Sequence, residues 1–162
     1  MEIERKFLIK KLPQNYKTFP HKELEQGYLC TDPVMRVRRE DDTWYMTYKG
    51  RGLLSHEEYN LPLTKEGYEH LLQKADGIII TKTRYLIPCP PYMIELDEFH
   101  GVYEGLIFAE VEFPDEEAAH AFCPPEWLGE DVTYNSCYYN SNMSQSADWW
   151  TEKNPSDADS GN

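Results

Sequence analysis

Met1-Glu2-Ile3-Glu4-Arg5-Lys6-Phe7 opens the chain, and the spacing of two between Glu2, Glu4 and Lys6 decides how the rest is read. Alternate side chains of a β-strand share a face. One side of this strand therefore carries carboxylate, carboxylate and ammonium, while Ile3, Phe7 and Ile9 occupy the other. Like charges two residues apart on one face repel. A bound cation, or a cationic group nearby, turns that arrangement into a binding site.

The pattern recurs down the chain. Arg36 and Arg38 flank Val37, and Lys82 and Arg84 flank Thr83. Glu95 and Asp97 alternate with Ile94 and Leu96, as Glu110 and Glu112 do with Ala109, Val111 and Phe113. A solvated sheet face accounts for any one of these pairs, but such a face mixes signs, because like charges on adjacent positions cost stability. Here each later pair carries one sign. Segregated acidic and basic strands indicate a face built to hold cations against an anion.

Working outward, strands are expected near residues 1–9, 24–31, 33–40, 43–50, 56–63, 77–87, 92–99 and 105–113, with Asp41-Asp42 and Gly50-Arg51-Gly52 as hairpin punctuation. Lys49-Gly50-Arg51-Gly52 lacks the spacing and the following helix of a phosphate loop. Thr64 caps an expected helix to about Ala75, with Tyr68, Leu71, Leu72 and Ala75 as its apolar stripe. Asp115 caps a shorter one through Phe122. Eight antiparallel strands in a domain of this size suit a closed β-barrel, which leaves no exposed edge. The expected fold is mainly β with flanking α: a tunnel with a charged lumen and helices packed on an apolar exterior. Residues 1–143 are expected to form it, and residues 144–162 a polar, acidic, loosely held tail in which Trp149 and Trp150 could dock on the body or a partner.

At 162 residues the chain is one domain with a real core, and a net charge of −13 argues against nucleic acid as its main partner. No apolar run approaches a membrane span. The four cysteines form no C-x-x-C pair or zinc-type grouping and read as reduced thiols, and no signal peptide is visible, so the expected location is the cytoplasm. His21, His56, His70, His100 and His120 fall outside the charged pairs and are read as surface residues.

Pooling the lumen candidates gives carboxylates from Glu2, Glu4, Glu58, Glu95, Asp97, Glu110 and Glu112, and cations from Lys6, Arg36, Arg38, Lys49, Lys82 and Arg84. Hard carboxylate oxygens suit Mg²⁺ or Mn²⁺. Arginine forks grip phosphate oxygens bidentately and lysine neutralises them as a point charge. So many cations in one cavity match a linear triphosphate better than a monophosphate, and metal ions could bridge its oxygens and activate a water.

These residues carry a resemblance. Glu2-Ile3-Glu4-Arg5-Lys6 resembles the E-x-E-x-K signature of the CYTH superfamily, the triphosphate tunnel metalloenzymes. Arg36-Val37-Arg38, Thr47-Tyr48-Lys49-Gly50, Lys82-Thr83-Arg84-Tyr85, Glu95-Leu96-Asp97 and Glu110-Val111-Glu112 follow in the family's order. The resemblance implies an eight-stranded tunnel in which Glu2, Glu4, Asp97, Glu110 and Glu112 attend divalent metal and the pooled cations hold phosphates. It further implies that Lys49 and Tyr28 match a water-activating pair of some triphosphatases, and that Glu58 matches a family glutamate. Cys137 stands where the family is often basic. The implied activity is metal-dependent hydrolysis of inorganic tripolyphosphate, a small-molecule partner, with a homodimer as the candidate assembly. The alternatives are a class IV type adenylate cyclase, a thiamine triphosphatase, or a non-catalytic polyphosphate-binding module.

Overall fold

The computed structural model describes residues 1–52 and 54–155. Its strands are β1 (Glu2–Ile9), β2 (His21–Thr31), β3 (Val34–Glu40), β4 (Thr43–Lys49), β5 (Ser55–His56), β6 (Glu58–Pro62), β7 (Asp76–Cys89), β8 (Tyr92–Phe99), β9 (Ile107–Glu112) and β10 (Leu128–Asp131). They form one antiparallel sheet in the order β10-β1-β9-β8-β7-β2-β3-β4-β6, with β5 paired to β1.

The sheet curls around a cavity lined from both of its ends, but its hydrogen bonds do not close into the expected eight-stranded barrel. The strand expected at 56–63 breaks at Glu57: Ser55–His56 pairs with β1, and Glu58–Pro62 pairs with β4. The second half of β1 pairs instead with β10, at Phe7↔Asp131 and Ile9↔Leu128. Leu128-Gly129-Glu130-Asp131 shows no apolar alternation, so nothing in its pattern announced a strand.

Alternation sorts the faces as expected over half the sheet. Ile3, Phe7, Ile94, Leu96, Ala109 and Val111 pack outside in one core, covered by Phe19 and Phe122. The charged parity is not ionic throughout. Leu8, Ile80, Phe99 and Phe108 share the face of Lys6, Lys82, Asp97 and Glu110, and they form a second core with Tyr103, Tyr138 and Met143. Burying each such side chain stabilises the fold by about 1.5–3 kcal/mol. The interior is thus a charged cavity over an apolar floor.

The helices are α1 (Lys65–Leu72), α2 (Glu116–Ala121), α3 (Asn140–Met143) and α4 (Asp148–Lys153). Thr64 and Asp115 cap the first two, accepting hydrogen bonds from the Gly67 and Ala118 backbone N–H. Of the expected α1 stripe only Tyr68 is buried. The end of α1 crosses β2 at Gly27, where an added Cβ would stand 2.7 Å from that of Ala75.

Residues 144–155 are not the loose tail expected. The Ser144 carbonyl accepts from the Ile78 N–H at 2.6 Å, beside Gly77 in its left-handed conformation (φ +70°). Trp149 meets Tyr138 edge-on at 5.3 Å, and the Tyr103 hydroxyl donates to the Met143 carbonyl at 2.7 Å. Residues 156–162, the rest of that tail, lie outside the described residues.

Arg5 ties three elements together on the outer face. Its guanidinium donates to the Ala119 and Phe122 carbonyls at the end of α2, at 2.8 and 3.2 Å, and to Asp131 Oδ2 on β10, at 2.9 and 3.1 Å. Arg5→Ala is expected to cost about 1–2 kcal/mol of stability, read as a lower urea midpoint. An unchanged midpoint would show that these bonds add nothing beyond what water supplies.

Candidate active site

Cross-strand register builds the site. Directly opposed residues of antiparallel neighbours share a face, and the pairs Glu4↔Glu112, Lys6↔Glu110, Glu95↔Glu110, Arg84↔Asp97, Tyr28↔Arg36 and Lys49↔Glu58 all fall on the concave side. They surround a cavity of about 400 Å³. Glu2, Glu4, Lys6, Tyr28, Arg36, Arg38, Lys49, Glu58, Lys82, Arg84, Glu95, Glu110 and Glu112 all line it. Asp97 does not.

Asp97 is 0% exposed and lies behind the wall. Lys82 Nζ approaches its Oδ2 at 2.7 Å, and Arg84 donates to both its oxygens at 2.8 and 2.9 Å. Its oxygens orient two cations, and its side chain does not line the cavity. The expectation that it attends metal is corrected on this ground.

The cationic wall is only partly neutralised. Burial, then the neighbouring Arg36 and Arg84 charges, pull the Arg38 guanidinium below its usual range. Burial, then Arg84 and Arg38, likewise lower Lys82 to about 7 against the attraction of Asp97. Arg38 Nε donates to Gln26 Oε1 at 2.7 Å, and Arg36 Nη2 to Thr47 Oγ1 at 3.3 Å. Arg36 Nε is buried without a hydrogen-bond partner among the described residues. A buried donor left unpaired costs about 1–3 kcal/mol, so this wall fits an anion whose oxygens would satisfy it.

Carboxylates enter the same cavity, where Glu110 pairs with Lys6 at 3.5 Å and Glu95 with Arg84 at 2.7 Å. Burial, then the Glu110 and Glu2 carboxylates, hold Glu4 well above the usual carboxylate range, and its side chain has no hydrogen bond or ion pair among the described residues. Burial works to raise Glu2 as well, but hydrogen bonds from His56 and Glu58 and the Lys49 charge hold it well below. Burial and the adjacent Glu2 push Glu58 up to about 7. One atom each of Glu2, Glu4 and His56 lie within 4.8 Å of one another. This donor set fits a divalent cation.

Several residues had no signal in the alternation. His56, read as a surface residue, lines the cavity, opposed to Glu2 across β5 and β1. Asn140 Oδ1 accepts from Lys82 Nζ at 3.0 Å and from Gln26 Nε2 at 2.9 Å, and the Tyr138 carbonyl accepts from Lys6 Nζ at 2.6 Å. The segment that seals one end thus contacts two of the expected phosphate lysines. Cys137 is exposed and does not line the cavity. Lys49 Nζ bonds Glu2 Oε1 at 2.8 Å rather than Tyr28. Against burial and Arg36, which lower it, Glu4 and Glu2 raise the Lys49 ammonium above its usual range.

A family model described as the CYTH domain matches residues 1–140. A protein of Nitrosomonas europaea named inorganic triphosphatase is 40% identical over 154 residues, spanning 90% of this chain and 97% of that protein. A second inorganic triphosphatase, from Acetivibrio thermocellus, is 39% identical, spanning 88% and 92%. The crystal structure of the inorganic triphosphatase NE1496 superposes with a TM-score of 0.67 at 37% identity, covering 90% of this chain and 95% of that one.

Proposed function

The chain belongs to the CYTH domain family, and we propose that it is an inorganic triphosphatase that hydrolyses tripolyphosphate with Mg²⁺ or Mn²⁺ in its charged cavity. The observation that carries this reading is one cavity that gathers Lys6, Arg36, Arg38, Lys49, Lys82 and Arg84, with Arg36 Nε unpartnered, beside carboxylates of which Glu4 is unpaired among the described residues. The curl that forms this cavity serves as the family's tunnel. The four cysteines are free thiols, which supports a cytoplasmic location.

Arg36, Arg38, Arg84, Lys82 and Lys6 hold the phosphate oxygens, and Asp97 positions Lys82 and Arg84. Glu2 and Glu4, with Glu110 and Glu112 alongside, would hold the divalent ion, and Glu58 and Glu95 lie at the ends of that wall. Such an ion, when bound, supplies positive charge against phosphate oxygens and lowers the pKa of water. Lys49 and Tyr28, the pair read as water-activating, both line the cavity, with Lys49 bonded to Glu2 and the Tyr28 hydroxyl beside Arg36.

The test is phosphate release from tripolyphosphate, ATP and thiamine triphosphate with Mg²⁺ or Mn²⁺, beside an assay for cyclic AMP. Fastest release from tripolyphosphate, abolished by EDTA, is expected. Cyclic AMP formation would overturn the hydrolase reading, and tight binding without turnover would make the protein a binding module. Arg38→Ala is expected to weaken binding by about 2–3 kcal/mol, a factor of about 30 to 150 in KM. An unchanged KM removes Arg38 from the substrate wall.

A further inference from the structure

Ser55–His56 is a two-residue strand whose register sets His56 opposite Glu2. The break at Glu57 is what lets it reach β1 while Glu58–Pro62 stays with β4. His56 Nε2 lies 2.5 Å from Glu2 Oε1, and the two side chains are 11% and 12% exposed. Donor atoms of His56, Glu2 and Glu4 fall within 4.8 Å of one another, close enough to converge on one ion. In the same cavity, Arg36 Nε is buried without a hydrogen-bond partner among the described residues, a donor that an anion bound to such an ion would satisfy.

The chemistry of this trio differs from that of carboxylates alone. Mg²⁺ takes oxygen ligands and keeps several waters, whereas an imidazole nitrogen suits first-row transition metals. Two carboxylates and one imidazole on one side leave the cavity-facing positions open for phosphate oxygens. Ligation through Nε2 places the ring proton on Nδ1.

We propose that His56 is a nitrogen ligand of the divalent-metal site, so that the site selects Mn²⁺ over Mg²⁺. The proposal rests on the metal-dependent reading of the cavity and goes beyond it by naming the ligand and the metal class.

Pulsed EPR of the wild-type protein with Mn²⁺ alone tests it without turnover. Nitrogen-14 coupling to the bound Mn²⁺ is expected. Calorimetric titration should show His56→Asn losing about 10–100-fold in Mn²⁺ affinity, with Mg²⁺ affinity unchanged and nitrogen coupling gone. His56→Gln, of different length, repeats the comparison should the first variant fold poorly. Bound Mn²⁺ without nitrogen coupling in the wild type overturns the proposal and leaves the triphosphatase reading intact. Equal losses for both metals in the variants also overturn it. Hydrolysis that persists in EDTA, with no Mn²⁺ bound, sinks both readings together.

Discussion

Glu4→Gln is expected to lower tripolyphosphate turnover by at least about a hundredfold while leaving the circular dichroism spectrum and the thermal midpoint close to wild type. Glu4 makes no side-chain hydrogen bond or ion pair among the described residues, and burial together with Glu110 and Glu2 penalises its charge. Replacing it with a neutral amide therefore relieves repulsion in the empty protein, and folding loses nothing. What disappears is the negative oxygen that pairs with a cation beside Glu2 and His56. Isothermal titration with Mn²⁺ should show weaker metal binding in parallel. A variant that turns over normally would remove Glu4 from the reaction, and one that unfolds would assign it to structure.

Asp97→Asn is expected to act in the opposite sense, on stability first. Asp97 is wholly buried, and it is the counter-charge shared by Lys82 and Arg84. Burial alone would raise its carboxyl, but Arg84 and then Lys82 hold it below the usual range. Removing one member of a buried ion cluster leaves the others desolvated and unpaired, at a cost of about 3–5 kcal/mol. Glu95, 2.7 Å from Arg84 Nη1, retains part of the compensation for that arginine. Among the described residues Lys82 has no second carboxylate at that distance, so it bears most of the loss. Chemical denaturation at pH 7 reads the effect directly. A loss under about 1 kcal/mol would mean that Lys82, already lowered to about 7, gives up its proton rather than staying charged and unpaired.

These two carboxylates show the limit of reading a strand by parity. Glu4 and Asp97 stand in the same alternating pattern, and the pattern alone assigns both to the metal. Their fates differ because of depth across the sheet. Asp97 sits opposite Arg84 on β7, whose guanidinium takes both its oxygens, while Glu4 sits opposite another carboxylate, Glu112. No single strand encodes its partner's charge. His56 is a sharper case: a histidine in a short, broken strand has no periodicity to signal its face, and only pairing with β1 turns it inward.

Local chemistry determined which charged residues of the long strands share a face and where Thr64 and Asp115 start helices, because alternation and capping act over a few residues and are written in neighbours. The break at Glu57, the strand β10, the apolar floor under the ions and the pairing of Asp97 were decided only when distant segments met. Charges and hydrogen bonds acquire their energies from whatever stands opposite once water is gone, and that neighbour is chosen by the whole fold.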